Sequence, residues 1–239
     1  MKGYNLKLKL PREVYPEYYD LGNRFYNKEK SIYEEYNKTV TITKDKNGEL
    51  SGKNIMEKWF PPVCADVFIS HSHRDIEDIK TLLGVLIDSG YKAFVDSCLW
   101  GYADDLLMKL DMSYSKMNNF PLFSYEVRNI TTSHVHIMLM NSLMNVMSKS
   151  KALIFVNTEN SLNFDSTEIE DATTSPWIYS EIELSRILIS KQKIKKAFTE
   201  SAIPKINYQV NLNHLQDIDF SQFLYDCYNN RLFDSLNIE

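Results

Sequence analysis

A carboxylate four residues after a tryptophan is the arrangement in this sequence best suited to chemistry. The segment Ser175-Pro176-Trp177-Ile178-Tyr179-Ser180-Glu181-Ile182-Glu183-Leu184 opens as helices do, with a serine to cap it and a proline at the first helical position. On such a helix Trp177 and Glu181 share a face that Leu184 and Leu188 continue. That face directs Glu181 toward the apolar side near the helix start. A carboxylate is costly to desolvate there, and a protein keeps one in such a place for a task. The ordinary alternative is a boundary glutamate reaching out to water. Glu183 differs, because Arg186 three residues on offers it a surface ion pair.

Two further stretches carry groups that could hold a ligand. In Asp66-Val67-Phe68-Ile69-Ser70-His71-Ser72-His73-Arg74-Asp75 an apolar run ends in hydroxyls, imidazoles and an arginine. At a strand-to-helix turn these could hold a phosphate or a ribose where the helix dipole favours anions. For Ser72 or Asp75 taken alone, helix capping is the simpler explanation. In Asp96-Ser97-Cys98-Leu99-Trp100-Gly101-Tyr102-Ala103-Asp104-Asp105 a carboxylate and two aromatics flank a glycine, which suits a flexible loop that stacks on a base. A packed loop with Trp100 filling a gap is the alternative. Asp104 and Asp105 read as partners of a helix dipole. The pairs His71/His73 and His134/His136 raise a metal reading, but a site needs a third ligand and the spacing supplies none.

The elements that must position these groups follow from periodicity. Val67-Phe68-Ile69, Tyr91 to Val95 and Ala152 to Val156 read as short buried strands. Ile79, Leu82, Leu83, Leu86 and Ile87 line one face of a helix that stops at Ser89-Gly90. Helices are expected over Ala103–Met112 and His136–Met147, with residues 113–134 an irregular insertion. Strands alternating with helices imply parallel βαβ units, whose ligands sit beyond the carboxyl ends of the strands. Residues 70–75, 96–102 and 157–164 and the start of the helix at 176 are therefore the places to search. Before Pro61-Pro62 the pattern differs. A tyrosine-rich helical stretch over residues 12–38 is followed by Thr39-Val40-Thr41-Ile42-Thr43 and Asn47-Gly48, which read as a hairpin. The expected division is an N-terminal helical extension with a hairpin, 1–62, and an α/β domain, 63–239, ending in a helix within residues 216–239.

Composition narrows the function. The 239 residues are 44% hydrophobic and 25% charged, a globular balance. A net charge of −5 disfavours general binding to a phosphate backbone, and the Lys191–Lys196 run reads as a solvated helix end. Three scattered cysteines fit a reducing, cytoplasmic setting rather than a disulfide framework. No apolar stretch approaches the roughly 20 residues that span a bilayer, and the N-terminus has no signal-peptide pattern.

Taken in order, DVFISHSHRD, AFVDSCLWGYADDLL, the strand ALIFV and SPWIYSEIELSRIL resemble a TIR (Toll/interleukin-1 receptor) domain over about residues 63 to 215. The resemblance is closest to the stand-alone bacterial TIR proteins of antiphage defence, including the signal-making subunit of Thoeris systems. It implies a flavodoxin-like fold, a central mostly parallel sheet flanked by helices. In TIR domains that cleave NAD+, a glutamate in a Trp-x-x-x-Glu context is catalytic, and Trp177 and Glu181 match it. The loop after the second strand corresponds to the mobile loop that gates the site. The resemblance thus implies Glu181 as catalytic residue and Phe68, Ser70, His71, Arg74, Asp96, Trp100, Tyr102 and Trp177 as substrate-binding residues. No metal or cofactor is implied, NAD+ being the substrate. The products would be nicotinamide with ADP-ribose, a cyclic isomer or a conjugate, and a diffusible nucleotide could reach a partner effector. Self-association through TIR domains is also implied. The same resemblance carries a second expectation, a non-catalytic scaffold, and a third, a nucleotide-binding sensor without turnover.

Overall fold

The computed structural model describes residues 1–7, 15–42, 44, 49–117, 122–162, 172–189 and 208–233, with the backbone alone at 37, 98–102, 208 and 209. Seven strands and seven helices are formed among them: β1 (Lys2–Lys7), α1 (Pro16–Thr39), α2 (Gly52–Trp59), β2 (Val67–Ser70), α3 (Ile76–Asp88), β3 (Ala93–Val95), α4 (Ser97–Leu110), α5 (Tyr125–Lys149), β4 (Ala152–Asn157), β5 (Ala172–Thr173), α6 (Pro176–Ile189), β6 (Tyr208–Gln209), β7 (Gln216–Asp219) and α7 (Phe220–Tyr228). The chain divides into two compact units. One comprises residues 1–25, 64–95 and 147–239, and the other residues 26–63 and 96–146.

The first unit is an α/β structure built on a five-stranded sheet in the order β3-β2-β4-β1-β7, every pairing parallel. Strands buried on both faces need continuous apolar runs, and Val67–Ser70 is buried throughout, as is Ala152–Val156. On β1, Gly3 faces α6, where a Cβ would come within 2.4 Å of the Ile189 side chain. Its neighbour Tyr4 faces the other way and donates its hydroxyl to the Leu232 carbonyl at 2.6 Å, just beyond α7. On that second face α3 packs against α7, and the start of α1 crosses α3 backbone to backbone. A Cβ on Gly22 would lie 1.8 Å from the Lys80 carbonyl oxygen, and one on Gly84 1.9 Å from that of Tyr18. Glycine at both positions is what allows the helices to meet.

The expected boundary at Pro61-Pro62 is therefore not where the sheet begins. Lys2–Lys7 forms a strand between β4 and β7, and residues 1–25 belong to the sheet's unit. Three other expectations shift. Of residues 96–102, expected as a loop, Ser97 onward form the start of α4, with Asp96 at its N-cap. The helix expected from His136 starts eleven residues earlier, at Tyr125, so much of the supposed irregular insertion is helical. Within residues 216–239 a strand, β7, precedes a shorter helix, α7. Around the expected hairpin, Thr39 ends α1, and a single antiparallel bridge joins Lys44 to Leu50. Asn47-Gly48 and Lys191–Lys196 lie outside the described residues.

The second unit has its own core, with Trp59 1% exposed and Leu106, Val135, Leu139 and Leu143 buried. Lys109 sits 4.6 Å above the Trp59 ring and donates to the Val40 carbonyl at 3.3 Å, a cation–π contact that also satisfies a main-chain acceptor. After α4 the helix widens to a π-turn over Asp111–Ser115. Buried Asp111 anchors that turn by accepting from Ser115 and Thr131 hydroxyls at 2.9 and 2.7 Å and pairing with Arg128 at 3.1 Å. A buried carboxylate satisfied on all sides is the arrangement that a structural role requires.

Candidate functional site at the carboxyl ends of the strands

In a parallel sheet, a crevice opens where neighbouring strands send their chains to opposite faces. Here β2 leads into α3 and β1 into α1, both on one face, while the described chain after β4 leads to α6 on the other. The strand order therefore places a topological switch point on each side of β4 at the strands' carboxyl ends.

At the carboxyl end of β2, beside one of these switch points, lies the carboxylate singled out above. Ser70 is the last residue of β2, opposite Phe155 of β4, and its hydroxyl donates to Glu181 Oε2 at 2.5 Å. Glu181 is 2% exposed and Ser70 fully buried. Helix α6 presents that carboxylate because Ser175 accepts from the Ile178 amide at 3.3 Å as its cap and Pro176 opens it. The buried stripe of α6 is Ile178, Glu181, Ile182 and Ser185, one position round from the expected one. Trp177, Leu184 and Leu188 are half-buried beside it. Glu183 pairs with Arg186, and that hydrogen bond is the first cause raising the arginine's pKa.

The turn after β2 divides its polar residues between two tasks. Ser72 caps a short 3-10 turn, His73–Asp75, by accepting from the Arg74 amide at 3.4 Å. Asp75 stands at the N-cap position of α3 but makes no cap bond. Its carboxylate instead accepts from the Thr158 hydroxyl and the Asn160 amide, both at 2.5 Å. Asp75 thus ties the turn after β2 to the turn after β4. His71 is 2% exposed, whereas His73 and Arg74 are exposed. Phe68 is fully buried, its ring 5.4 Å from that of Phe94, and packs the core. His134 and His136 are exposed on α5, and no group of three or more His, Cys, Asp or Glu side chains among the described residues is placed to hold a metal ion.

Ser70, His71, Arg74, Trp177 and Glu181 lie in the sheet's unit. Asp96, Trp100 and Tyr102 belong to the other. Asp96 is buried and accepts from the Ser97 amide at 2.8 Å. The backbone at Trp100 and Tyr102 is helical, and their side chains lie outside the described residues.

On the other side of β4 a cleft of about 1310 Å³ opens against β1 and β7. Asn5, Lys7, Asn157, Thr158 and Asp217 line it, and Asp75 reaches it from the turn before α3. Glu181 and Ser70 do not line it. Its walls carry Asp75, Asp78, Glu159, Asp217 and Asp219 against Lys7, a balance that repels phosphate. Burial first, then Asp75 and Glu77, push the Asp78 carboxyl up.

Sequence reasoning passed over one pair near Glu181. Ser185, a turn further along α6, donates to the Ile182 carbonyl at 2.7 Å, so its oxygen accepts from His214 Nε2 at 2.8 Å. Burial first, and then Arg186, pull the His214 pKa down. A lone histidine before a short strand gives no sequence signal for such a contact. No family model, curated protein or solved structure matches the chain.

Proposed function

We propose that the protein is a TIR-type NAD+ glycohydrolase that releases nicotinamide and makes a nucleotide signal in antiviral defence, with Glu181 as its catalytic residue. The observation that carries this reading is the burial of Glu181 against Ser70, at the carboxyl end of β2 and beside the strand reversal. A glutamate in the Trp-x-x-x-Glu context, removed from water and held by a hydroxyl at the end of the sheet where such folds bind ligands, supports this reading.

In that reaction the bond between ribose C1′ and the nicotinamide nitrogen breaks, and its electron pair leaves with neutral nicotinamide. Positive charge develops on the ribose, and a fixed carboxylate stabilises it in the way glycosidase carboxylates do. Water adding to C1′ and losing a proton gives ADP-ribose, and an adenine nitrogen adding instead gives a cyclic isomer. Ser70 would orient Glu181, and Trp177 and His71 would border the nicotinamide ribose. The nucleotide product would act in the cytoplasm on an effector protein.

The direct experiment is incubation of the purified chain with NAD+ and separation of the products by mass, beside Glu181→Gln. A non-catalytic scaffold would give no nicotinamide at any protein concentration. A sensor would retain bound NAD+ unchanged.

A further inference from the structure

Residues 129–148 are twenty consecutive positions of α5 without an Asp, Glu, Lys or Arg, in a chain with 25% charged residues. One side of this stretch is accounted for, since Val135, Leu139, Leu143 and Val146 are buried. The other side faces solvent with the same lack of charge. Ile130, Ile137 and Met144 are 58%, 63% and 41% exposed, and each is seven residues from the next. With exposed Ser133 and half-buried Met140 they form the a and d positions of two heptads. A helix face that stays in water normally carries charge, whereas the centres of protein interfaces lose charged residues and gain methionine. A lipid surface would call for Lys or Arg along the polar edge, and this stretch has none.

We infer that α5 is a homodimer interface, its Ile130–Ile137–Met144 stripe packing antiparallel on the same stripe of a second copy, with the two-fold axis at Ile137. Charge favours a copy as the occupant. With a net charge of −5, two copies repel through most faces, and this uncharged one meets itself without like charges opposed. The spacing favours it as well. A two-fold contact requires that residue i meet j while j meets i. Seven residues either side of Ile137 stand Ile130 and Met144, four either side Ser133 and Asn141, and eight either side Asn129 and Asn145. Isoleucine thus meets methionine, hydroxyl meets amide and amide meets amide, and the antiparallel helices oppose their dipoles. Such a helix pair is about 30 Å long and falls among small interfaces, so the dimer depends on concentration.

Sedimentation of the full chain over a wide concentration range, beside Ile137→Glu, tests this. The expected result is a monomer–dimer equilibrium weakened about tenfold or more by the buried charge. Cysteine pairing supplies the check that does not depend on a charged variant. In a background with Cys64→Ser and Cys98→Ser, Ile137→Cys alone of the three variants forms the intermolecular disulfide under mild oxidation. Ile130→Cys and Met144→Cys cross-link only when mixed. A chain that stays monomeric throughout, a dimer indifferent to Ile137→Glu, or single-site cross-linking equal at all three positions would overturn the inference.

Discussion

Among single residues, Glu181 and its surroundings carry the proposed chemistry. Replacing it with glutamine keeps the shape and removes the charge that would stabilise the ribosyl cation, and the expected loss in kcat is about 10² to 10³. Ser70→Ala leaves the carboxylate in place but removes the donor at 2.5 Å. About a tenfold fall in kcat with little change in KM is expected, which steady-state kinetics would separate from a binding defect. His214 gives a pH signature. Its folded pKa lies below the ordinary 6.5 because of burial and Arg186, so the unfolded chain binds the proton more readily. The stability it contributes is present above about pH 6.5 and is lost as pH falls through the lower folded value. Melting curves between those limits should show a fall in Tm that is smaller in His214→Gln. Cys64 and Cys227, the two cysteines with described side chains, divide by the same physics. Burial first, then Asp226, push the Cys227 thiol up to about 12, while Cys64 is exposed. A disulfide reagent at neutral pH should label Cys64 and spare Cys227 until the chain unfolds.

Among the elements, the close crossing of α1 and α3 is the most specific packing feature. Alanine at Gly84 would put a methyl carbon 1.9 Å from a main-chain oxygen, and backbone cannot yield as a side-chain end can. Gly84→Ala should cost about 3 kcal/mol, the upper end of overpacking effects, read from denaturant midpoints, whereas alanine at Gly52 meets only the Met138 methyl at 3.5 Å and should be nearly neutral. The elements read most directly from sequence were β2, α3, β3, β4 and α6, because continuous apolar runs and one-sided helical stripes report burial locally. Glu181 was legible for the same reason, and Glu183 with Arg186 by simple spacing. β1 was not legible. Lys-Gly-Tyr-Asn-Leu-Lys has lysines at both ends and a polar centre, and only pairing with β4 and β7, more than 140 residues away, makes it a strand. The bridge from Asp75 to Thr158 and Asn160 was hidden likewise, since a helix-start aspartate reads as a cap until the second loop is seen. The early start of α5 was missed because Thr131, Thr132 and Ser133 suggest a loop, while the tertiary hydrogen bond from Thr131 to Asp111 stabilises the helix instead.

For the whole molecule, the chain order matters more than the apparent boundary at Pro61-Pro62. A truncated chain starting at residue 63 lacks a strand from the sheet's interior, leaving β4 and β7 with unpaired edges and the backs of α3 and α6 uncovered. Such a chain should be insoluble or lack a cooperative melting transition by circular dichroism. Placing an N-terminal strand there also puts a topological switch point on each side of β4, and Ser70 with Glu181 stands beside the one next to β2. Among the described residues no helix is long and apolar enough to cross a membrane. The central claim, that this molecule breaks NAD+ at the nicotinamide bond through Glu181, is tested most directly by product analysis after incubation with NAD+, wild type beside Glu181→Gln, at rising protein concentration. Nicotinamide and an ADP-ribosyl product are expected from the wild type, and both at least about a hundredfold more slowly from the variant. Wild type that releases no nicotinamide at any concentration, or a glutamine variant that releases it equally fast, would contradict it.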